Sequence, residues 1–162
     1  MAQGLDTLET ERLLFRGIDE SDAELIVEWR SVPEVYRFFK SPHKITVDEH
    51  LNWYRNSYLK NAERFDWICI EKESNRRIGV FGLIREGDRA EVNYLLAPDV
   101  QHKGYASEAV RKMLEYAAGN WNCKQVDAEI HVDNKPSRAL AEKLGFSVVS
   151  ENGPFIIYGI KV

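Results

Sequence analysis

The chain has 162 residues, and 22 Lys and Arg stand against 26 Asp and Glu, which gives a formal net charge of −4. Hydrophobic residues make up 44% and charged residues 30%, a composition typical of a globular domain and not of a disordered chain. The acidic balance argues against duplex nucleic acid as the main partner.

Targeting and redox signals point to a cytoplasmic protein with no membrane partner. No apolar run approaches the roughly 18 residues of a membrane span, and the N-terminus lacks the basic and apolar regions of a signal peptide. Cys69 and Cys123 form no CxxC or Cys/His cluster, so we expect reduced cysteines and no metal. The first nine residues are predicted to be a flexible N-terminus, and residues 10–162 one domain.

The N-terminal third of the chain predicts one strand followed by two helices. Residues 10–16 are the strand candidate, and the first helix is expected to end before Pro33. Two pairs have the spacing of a capping box at a helix start, Ser21 with Glu24 and Thr46 with Glu49.

The middle of the chain changes to the pattern of a sheet. Three short segments are rich in β-branched and aromatic residues and are separated by charged turns: residues 66–71, 78–84 and 90–96. We predict three consecutive antiparallel strands, a meander.

The C-terminal part alternates helices and strands. A long amphipathic helix follows residue 105, and residues 126–132 alternate between apolar and polar, as a half-buried strand does. Pro136 suits the first turn of another helix that ends at Gly145, and a hairpin over residues 146–160 closes the chain. This order predicts a mixed α+β fold, with about seven strands and about four helices.

The connection before the long helix is the most informative segment: Gln101, His102, Lys103, Gly104, Tyr105 and Ala106. The first turn of a helix presents free N–H groups and a positive dipole end, and Gly104 lets the backbone approach an anion closely. An ordinary strand-to-helix loop explains the same residues, since neither GxGxxG nor GxxxxGK[ST] is present.

This segment resembles the acetyl-CoA pyrophosphate loop of the GNAT N-acetyltransferases, whose pattern is Gln/Arg-x-x-Gly-x-Gly/Ala. Residues 90–98 resemble the strand that precedes that loop in the family. Asn134-x-x-Ser137 and residues 142–146 resemble the later CoA-side helix and the strand after it. The element order also matches, so the resemblance extends over residues 10–162 and implies the GNAT fold.

The resemblance implies a mode of binding for acetyl-CoA, with CoA as product. Backbone N–H groups from His102 to Ala106 would bind the pyrophosphate. A bulge near Leu95 and Leu96 would separate two parallel strands and free main-chain groups for the pantetheine arm. Asn134 would bond the cofactor or a water, although a cap on its own helix is equally consistent with the sequence.

The resemblance also implies the catalytic residues. Many family members carry a tyrosine four residues before the Gly-Phe pair, where this chain has Ala141. In the Rim-type branch, which acetylates ribosomal-protein N-termini, the serine equivalent to Ser137 is the general acid. We favour Glu91, working through water, as general base, with Glu129 and His131 as alternatives. Without a catalytic role, Glu91, Glu129 and His131 would simply be solvated side chains, and Ser137 would form a hydrogen bond to its own backbone.

Residues 27–35 and 45–54 resemble the amino-sugar acetyltransferases of the pseudaminic-acid pathway, which act on a nucleotide-linked amino sugar. That resemblance implies that Arg30 and His50 hold the nucleotide. The sequence is equally consistent with Arg30 as a cation at the end of a helix and His50 as a solvated residue in a first helical turn. We predict transfer to a primary amine of a small molecule, such as a nucleotide-linked amino sugar. Protein N-terminal acetylation and a non-catalytic CoA-binding module are the alternatives, in a monomer or a homodimer.

Overall fold

The computed structural model describes residues 7–162, which form an eight-stranded mixed sheet and five α-helices. The strands are β1 (Leu8–Glu9), β2 (Leu13–Gly17), β3 (Arg64–Glu71), β4 (Arg76–Glu86), β5 (Arg89–Leu96), β6 (Gln125–His131), β7 (Ser147–Asn152) and β8 (Phe155–Lys161). The helices are α1 (Ala23–Arg30), α2 (Pro33–Tyr36), α3 (Val47–Asn56), α4 (Tyr105–Asn120) and α5 (Lys135–Lys143).

The strands lie in the order β1-β2-β3-β4-β5-β6-β8-β7. Neighbouring strands are antiparallel except β5 and β6, which are parallel and are connected through α4. The predicted meander, the crossover and the closing hairpin are confirmed, and so is the mixed α+β class. The additional strand and helix are β1, with two residues, and α2, with a single turn, both too short to leave a periodic pattern.

The N-terminal strand begins later than predicted. Thr10 donates its backbone N–H to the Leu13 carbonyl at 2.9 Å, so residues 10–12 form a turn between β1 and β2. Leu8 pairs with Phe15 across that turn. Most of the predicted flexible segment, residues 1–6, lies outside the described residues.

The start of α1 differs from the sequence prediction. Asp19, and not Ser21, is the capping residue, and it caps a 3₁₀ turn (Glu20–Asp22) that leads directly into α1. The Asp19 carboxylate accepts from the Ser21 N–H at 2.9 Å, and the Asp22 carboxylate accepts from the Asp19 N–H at 2.9 Å. The Ser21–Glu24 box is therefore wrong, because the Ser21 hydroxyl itself donates to Asp19.

At α3 the predicted capping box is confirmed. The Thr46 N–H donates to Glu49 Oε1 at 3.0 Å, and the Glu49 N–H donates to Thr46 Oγ1 at 3.1 Å. The helix then buries His50 and Tyr54, one turn apart, against the sheet. His50 is therefore not the solvated first-turn residue that the sequence alone allows.

The two faces of the sheet are covered by different helices. On one face α4 packs its buried stripe over β3 and β4, with the rings of Tyr116 and Trp67 4.9 Å apart and edge-to-face. On the other face lie α1 and α3. Because side chains alternate along a strand, β5 presents Glu91 and Asn93 to the α1 face and Tyr94 to the α4 and α5 side.

Candidate active site

The parallel strands β5 and β6 separate soon after they begin. They pair only from Arg89 to Glu91, opposite Gln125 to Asp127, and β5 then continues to Leu96 beside β4 alone. Beyond Glu91 one edge of β5 therefore has backbone groups that β6 does not bind. The gap between the two strands is a wedge in which an extended ligand could form strand-like hydrogen bonds.

The bulge predicted near Leu95 and Leu96 is wrong. The β4–β5 register runs without a shift up to the Gly79–Leu96 pair. β6 is paired with β8 along its whole length, from Gln125 to His131, but with β5 only at its first three residues. The separation of β5 and β6 is therefore a feature of pairing between strands, which the pattern of a single strand does not reveal.

The predicted pyrophosphate loop lies at the wide end of the wedge. Residues 101–104 are exposed, and α4 begins directly after them. His102 and Gly104 both have left-handed backbone conformations, with φ of 66° and 79°. Left-handed residues in a loop turn neighbouring N–H groups toward one point, and the first turn of the 16-residue α4 adds its own N–H groups there. This geometry fits a diphosphate.

On the α5 side of β5, Tyr94 meets Ser137. The two hydroxyl oxygens lie 3.0 Å apart, and either can donate. Burial raises the pKa of Tyr94, so its hydroxyl stays protonated at neutral pH. Asn134 caps α5 by accepting from the Ser137 N–H at 3.4 Å, and Ala141 is buried one turn further along. Tyr94 was not among the predicted site residues, because in the sequence it has the pattern of an ordinary aromatic residue in a strand.

Glu91 lies on the opposite face of β5, at the last pair before the wedge. It is half-buried, and among residues 7–162 its carboxylate forms no hydrogen bond or salt bridge. Burial raises the pKa of Glu91, while the charge of Lys40 opposes that effect. A carboxylate that accepts protons more readily than usual suits a general base.

The two alternative bases are engaged elsewhere. Glu129 is bound by Lys40 at 2.5 Å and by the Asn152 amide at 3.1 Å. His131 accepts the Asp133 N–H at 3.1 Å and has its ring 5.5 Å from that of Phe38. Both residues hold the segment between α2 and α3 over β6, which leaves Glu91 as the available carboxylate.

A cleft of about 430 Å³ adjoins the wedge on the α1 face. Arg30 and His50 both line it, as the resemblance implied, together with residues that the sequence argument did not single out: Phe39, Trp53, Arg64, Asp66 and Asn93. These residues come from α1, α3, the segment between α2 and α3, and the strands β3 and β5, so only the tertiary structure reveals them as a group.

The cleft is cationic. Arg30 is half-buried, with its guanidinium 5.2 Å from the Phe39 ring centre, and no described carboxylate forms a salt bridge with it. His50 is 4% exposed, and its Nδ1 is buried without a hydrogen-bond partner. Burial, and secondarily the charge of Arg30, lower the pKa of His50, so the ring is neutral at pH 7. An unsatisfied buried nitrogen beside an unpaired cation suits an anionic ligand.

The floor of the cleft depends on Gly82. Asp66 and Asn93 flank Gly82 on the neighbouring strands, and a Cβ on Gly82 would overlap Asp66 Oδ1. The buried Asp66 carboxylate accepts from Arg64 Nη2 at 3.1 Å, while the guanidinium lies 5.0 Å from the Trp53 ring centre. Asp66 and Trp53 together fix the orientation of Arg64.

A second cavity, of about 360 Å³, lies beside Glu91 on the same face of the sheet. Four carboxylates and a single arginine contribute to its lining: Glu86, Glu91, Asp127, Glu129 and Arg89. In residues 7–162, no group of three or more His, Cys, Asp and Glu side chains could hold a metal ion, and no helix is long and apolar enough to cross a membrane.

A model of the acetyltransferase (GNAT) domain matches residues 12–147. The chain therefore belongs to the GNAT family and is an acetyltransferase, the family that the resemblance predicted. GNAT acetyltransferases use acetyl-CoA.

Similar proteins agree with that assignment. The chain is 32% identical over 147 residues to the protein named Uncharacterized N-acetyltransferase p20 of Bacillus licheniformis. That alignment covers 88% of this chain and 83% of p20. It is 21% identical over 142 residues to acetyltransferase PseH of Campylobacter jejuni, covering 87% of each. The fold matches a solved structure of RimL, a ribosomal L7/L12 alpha-N-protein acetyltransferase in complex with coenzyme A. That match has a TM-score of 0.83 at 16% identity, over 97% of this chain and 98% of that one.

Proposed function

We propose that the protein transfers the acetyl group of acetyl-CoA to a primary amine on an anionic small molecule, with a nucleotide-linked amino sugar as the leading candidate. The observation that carries the acceptor class is the pairing of Arg30, a half-buried cation without a carboxylate, with the unsatisfied Nδ1 of His50. Phosphate oxygens would satisfy both groups, because an arginine fork binds them by charge-assisted hydrogen bonds and His50 donates to them from Nδ1 in the tautomer that carries hydrogen on that atom.

The residues around the wedge fit acetyl-CoA. The left-handed positions of the loop and the start of α4 suit the diphosphate, and the free edge of β5 from Val92 to Leu96 suits the amide groups of the pantetheine arm. When bound, acetyl-CoA supplies the thioester whose acetyl group is transferred. Holding the amine in contact with the thioester, in the wedge beside β5, accounts for much of the rate enhancement.

The proton transfers are assigned to the two faces of β5. Glu91 takes the proton of the attacking amine through a water on the α1 face. Ser137 would donate a proton from its Oγ to the leaving sulfur on the α5 side, and the Tyr94 hydroxyl at 3.0 Å would replace that proton. Tyr94 would regain its own proton from solvent before the next turnover. Since the base and the acid occupy opposite faces, they do not neutralise each other directly.

Acetylation of a protein N-terminus is the second candidate, and the acid-lined cavity beside Glu91 favours it. Arg89 and Lys40 pair with Asp127 and Glu129 there, so the four carboxylates of this cavity outnumber the cations by two, and a basic peptide would be attracted to it. The anionic and the basic acceptor therefore differ in which of the two adjoining cavities they occupy.

A thiol-release assay with acetyl-CoA distinguishes these functions. The acceptors are a UDP-linked 4-amino sugar and a basic peptide with a free N-terminus. Each is tested with the wild type, with Arg30→Ala and with a control variant, Arg111→Ala. Arg111 is an exposed residue of α4. We expect turnover of the sugar nucleotide and a KM raised about 10-fold or more by Arg30→Ala alone, from the loss of a charged hydrogen bond. Preference for the peptide would establish the second candidate. Tight CoA binding without turnover of any amine would establish a non-catalytic CoA-binding module.

A further inference from the structure

The turn between β1 and β2 is attached to the beginning of α4 through Glu108. This carboxylate accepts from the Thr10 hydroxyl, from the Arg12 backbone N–H at 2.9 Å and from Arg12 Nε at 2.7 Å. The Glu108 side chain is 19% exposed and that of Arg12 is 43% exposed, so the attachment depends on several hydrogen bonds to one carboxylate and not on burial of the ion pair. The N-terminal turn and the first helical turn after the cofactor loop are therefore one unit.

Arg12 continues from Glu108 to the loop itself. Its Nη1 donates to the Lys103 carbonyl at 2.9 Å, and its guanidinium lies 4.4 Å from the ring centre of Tyr105. Tyr105, the first residue of α4, is fixed in turn by a hydrogen bond from its hydroxyl to Glu71 on β3. The arginine thus rests on an aromatic ring that a second strand holds in place.

The contact with Lys103 determines which way one peptide group faces. In a planar trans peptide the carbonyl and the N–H point in opposite directions. Because Arg12 holds the Lys103 carbonyl, the Gly104 N–H points away from Arg12. Rotation of that peptide would break this hydrogen bond and would change φ of Gly104 from its left-handed value of 79°.

We propose that Arg12, oriented by Glu108, is a positioning residue that presets the Lys103–Gly104 peptide of the loop for the diphosphate of acetyl-CoA. This inference rests on the proposed use of acetyl-CoA. Without Arg12 the loop would have to order its N–H groups at the moment of binding, and the conformational cost would reduce affinity for the diphosphate alone.

The test compares a ligand that has the diphosphate with one that lacks it. Calorimetry gives the Kd of CoA, and steady-state assays give the KM and kcat of acetyl-CoA and of S-acetylpantetheine, whose pantetheine arm ends before the diphosphate. For Arg12→Ala we expect the Kd of CoA to rise about 10-fold, the energy of one hydrogen bond to a charged group, with kcat/KM for S-acetylpantetheine unchanged. A general defect of folding would instead weaken CoA binding and lower kcat/KM for S-acetylpantetheine as well.

Further variants separate positioning from direct attraction of charge. Arg12→Lys keeps the charge but not the fork that joins Glu108 to Lys103, so positioning predicts that it binds CoA as weakly as Arg12→Ala. The control is Arg55→Ala, because Arg55 makes a similar two-nitrogen contact with Glu20 on an exposed surface. Thr10→Val removes one hydrogen bond to Glu108, and it replaces the arginine variants in the test if they do not fold.

The outcomes distinguish this inference from the function on which it rests. Wild-type affinity for CoA in Arg12→Ala, or full recovery in Arg12→Lys, would overturn the positioning role and leave the acetyltransferase proposal intact. A wild-type protein that binds no CoA would overturn both.

Discussion

The Tyr94 hydroxyl lies 3.0 Å from Ser137 Oγ and so connects the strand that borders the wedge to the first turn of α5. Serine alone is a weak acid, but a neighbouring phenol can replace the proton that it gives up. Ala141, at the position where the family resemblance implied a tyrosine, is buried and has no such group.

Removing the Ser137 hydroxyl is expected to slow the chemical step. We predict that Ser137→Ala lowers kcat about 100-fold, at the lower end for general acid catalysis, and that Tyr94→Phe has a smaller effect. The KM for acetyl-CoA should change little. Steady-state kinetics at saturating acetyl-CoA provide the measurement, with the exposed Ser150→Ala on β7 as the control. A wild-type kcat for Ser137→Ala would remove this residue from catalysis.

Glu91 should produce a measurable pH dependence. Its pKa is raised by burial, and only the ionised form can accept a proton, so kcat/KM should fall as pH decreases through that raised pKa. Glu91→Gln should lower kcat at neutral pH, abolish this acidic limb and be partly rescued at higher pH, where the amine loses its proton unaided. An unchanged pH–rate profile in the variant would exclude Glu91 as the base.

The same substitution should not weaken the fold. A carboxyl whose pKa is raised on folding contributes stability below its unfolded pKa and loses it as the pH rises through the folded value. At pH 7 the buried charge of Glu91 is therefore unfavourable, and Glu91→Gln should match or exceed the wild-type Tm. A lower Tm at pH 7 would contradict the direction of the shift.

His50 predicts proton uptake when an anionic acceptor binds. Its pKa is lowered in the free protein by burial and by Arg30, and a nearby phosphate would raise it again. Inhibition by UDP-N-acetylglucosamine, whose diphosphate keeps its charge, should therefore strengthen from about pH 8 to about pH 6. His50→Gln should remove this dependence. Equal slopes in the two proteins would place the anion away from His50.

Gly82 predicts a steric effect on the floor of the cleft. Gly82→Ala places a methyl group against Asp66 and Asn93, and we expect a loss of about 1–3 kcal/mol in the free energy of unfolding, as for other overpacked sites. The control is Gly119→Ala, an exposed position of α4 with nothing within 4 Å, where alanine should stabilise by about 1 kcal/mol. Denaturant unfolding measures both, and equal effects would show that Asp66 adapts freely.

Local signals predicted the parts of the fold that depend on neighbours in sequence. The Thr46–Glu49 box and the alternation along β6 are examples, because a cap and a half-buried strand are each defined within a few residues. The prediction at Ser21 was wrong for the same local reason, since Asp19 competes for the capping role two residues earlier.

The site is built from residues far apart in the chain, and the periodicity of a single helix or strand does not predict their contacts. Arg64 and Asp66 enter the cleft only because the register of two hairpins aligns Asp66 with Gly82 and then with Asn93. The role proposed for Tyr94 depends on its contact with Ser137 of α5, 43 residues later in the chain. The family resemblance supplied Arg30, His50 and Ser137, whose side chains have no distinctive pattern of their own in a single sequence.

The short pairing between β5 and β6 has a mechanical consequence. Five strands lie on one side of that junction and three on the other, and only three residue pairs, from Arg89–Gln125 to Glu91–Asp127, form the hydrogen-bonded seam. The sheet therefore consists of two parts, β1–β5 and β6–β8, that are joined only at the start of β5 and β6. A molecule bound along the free edge of β5 would set the angle between these two parts. Because the proposed base, Glu91, lies at the junction, its position would be the least affected by any change in that angle.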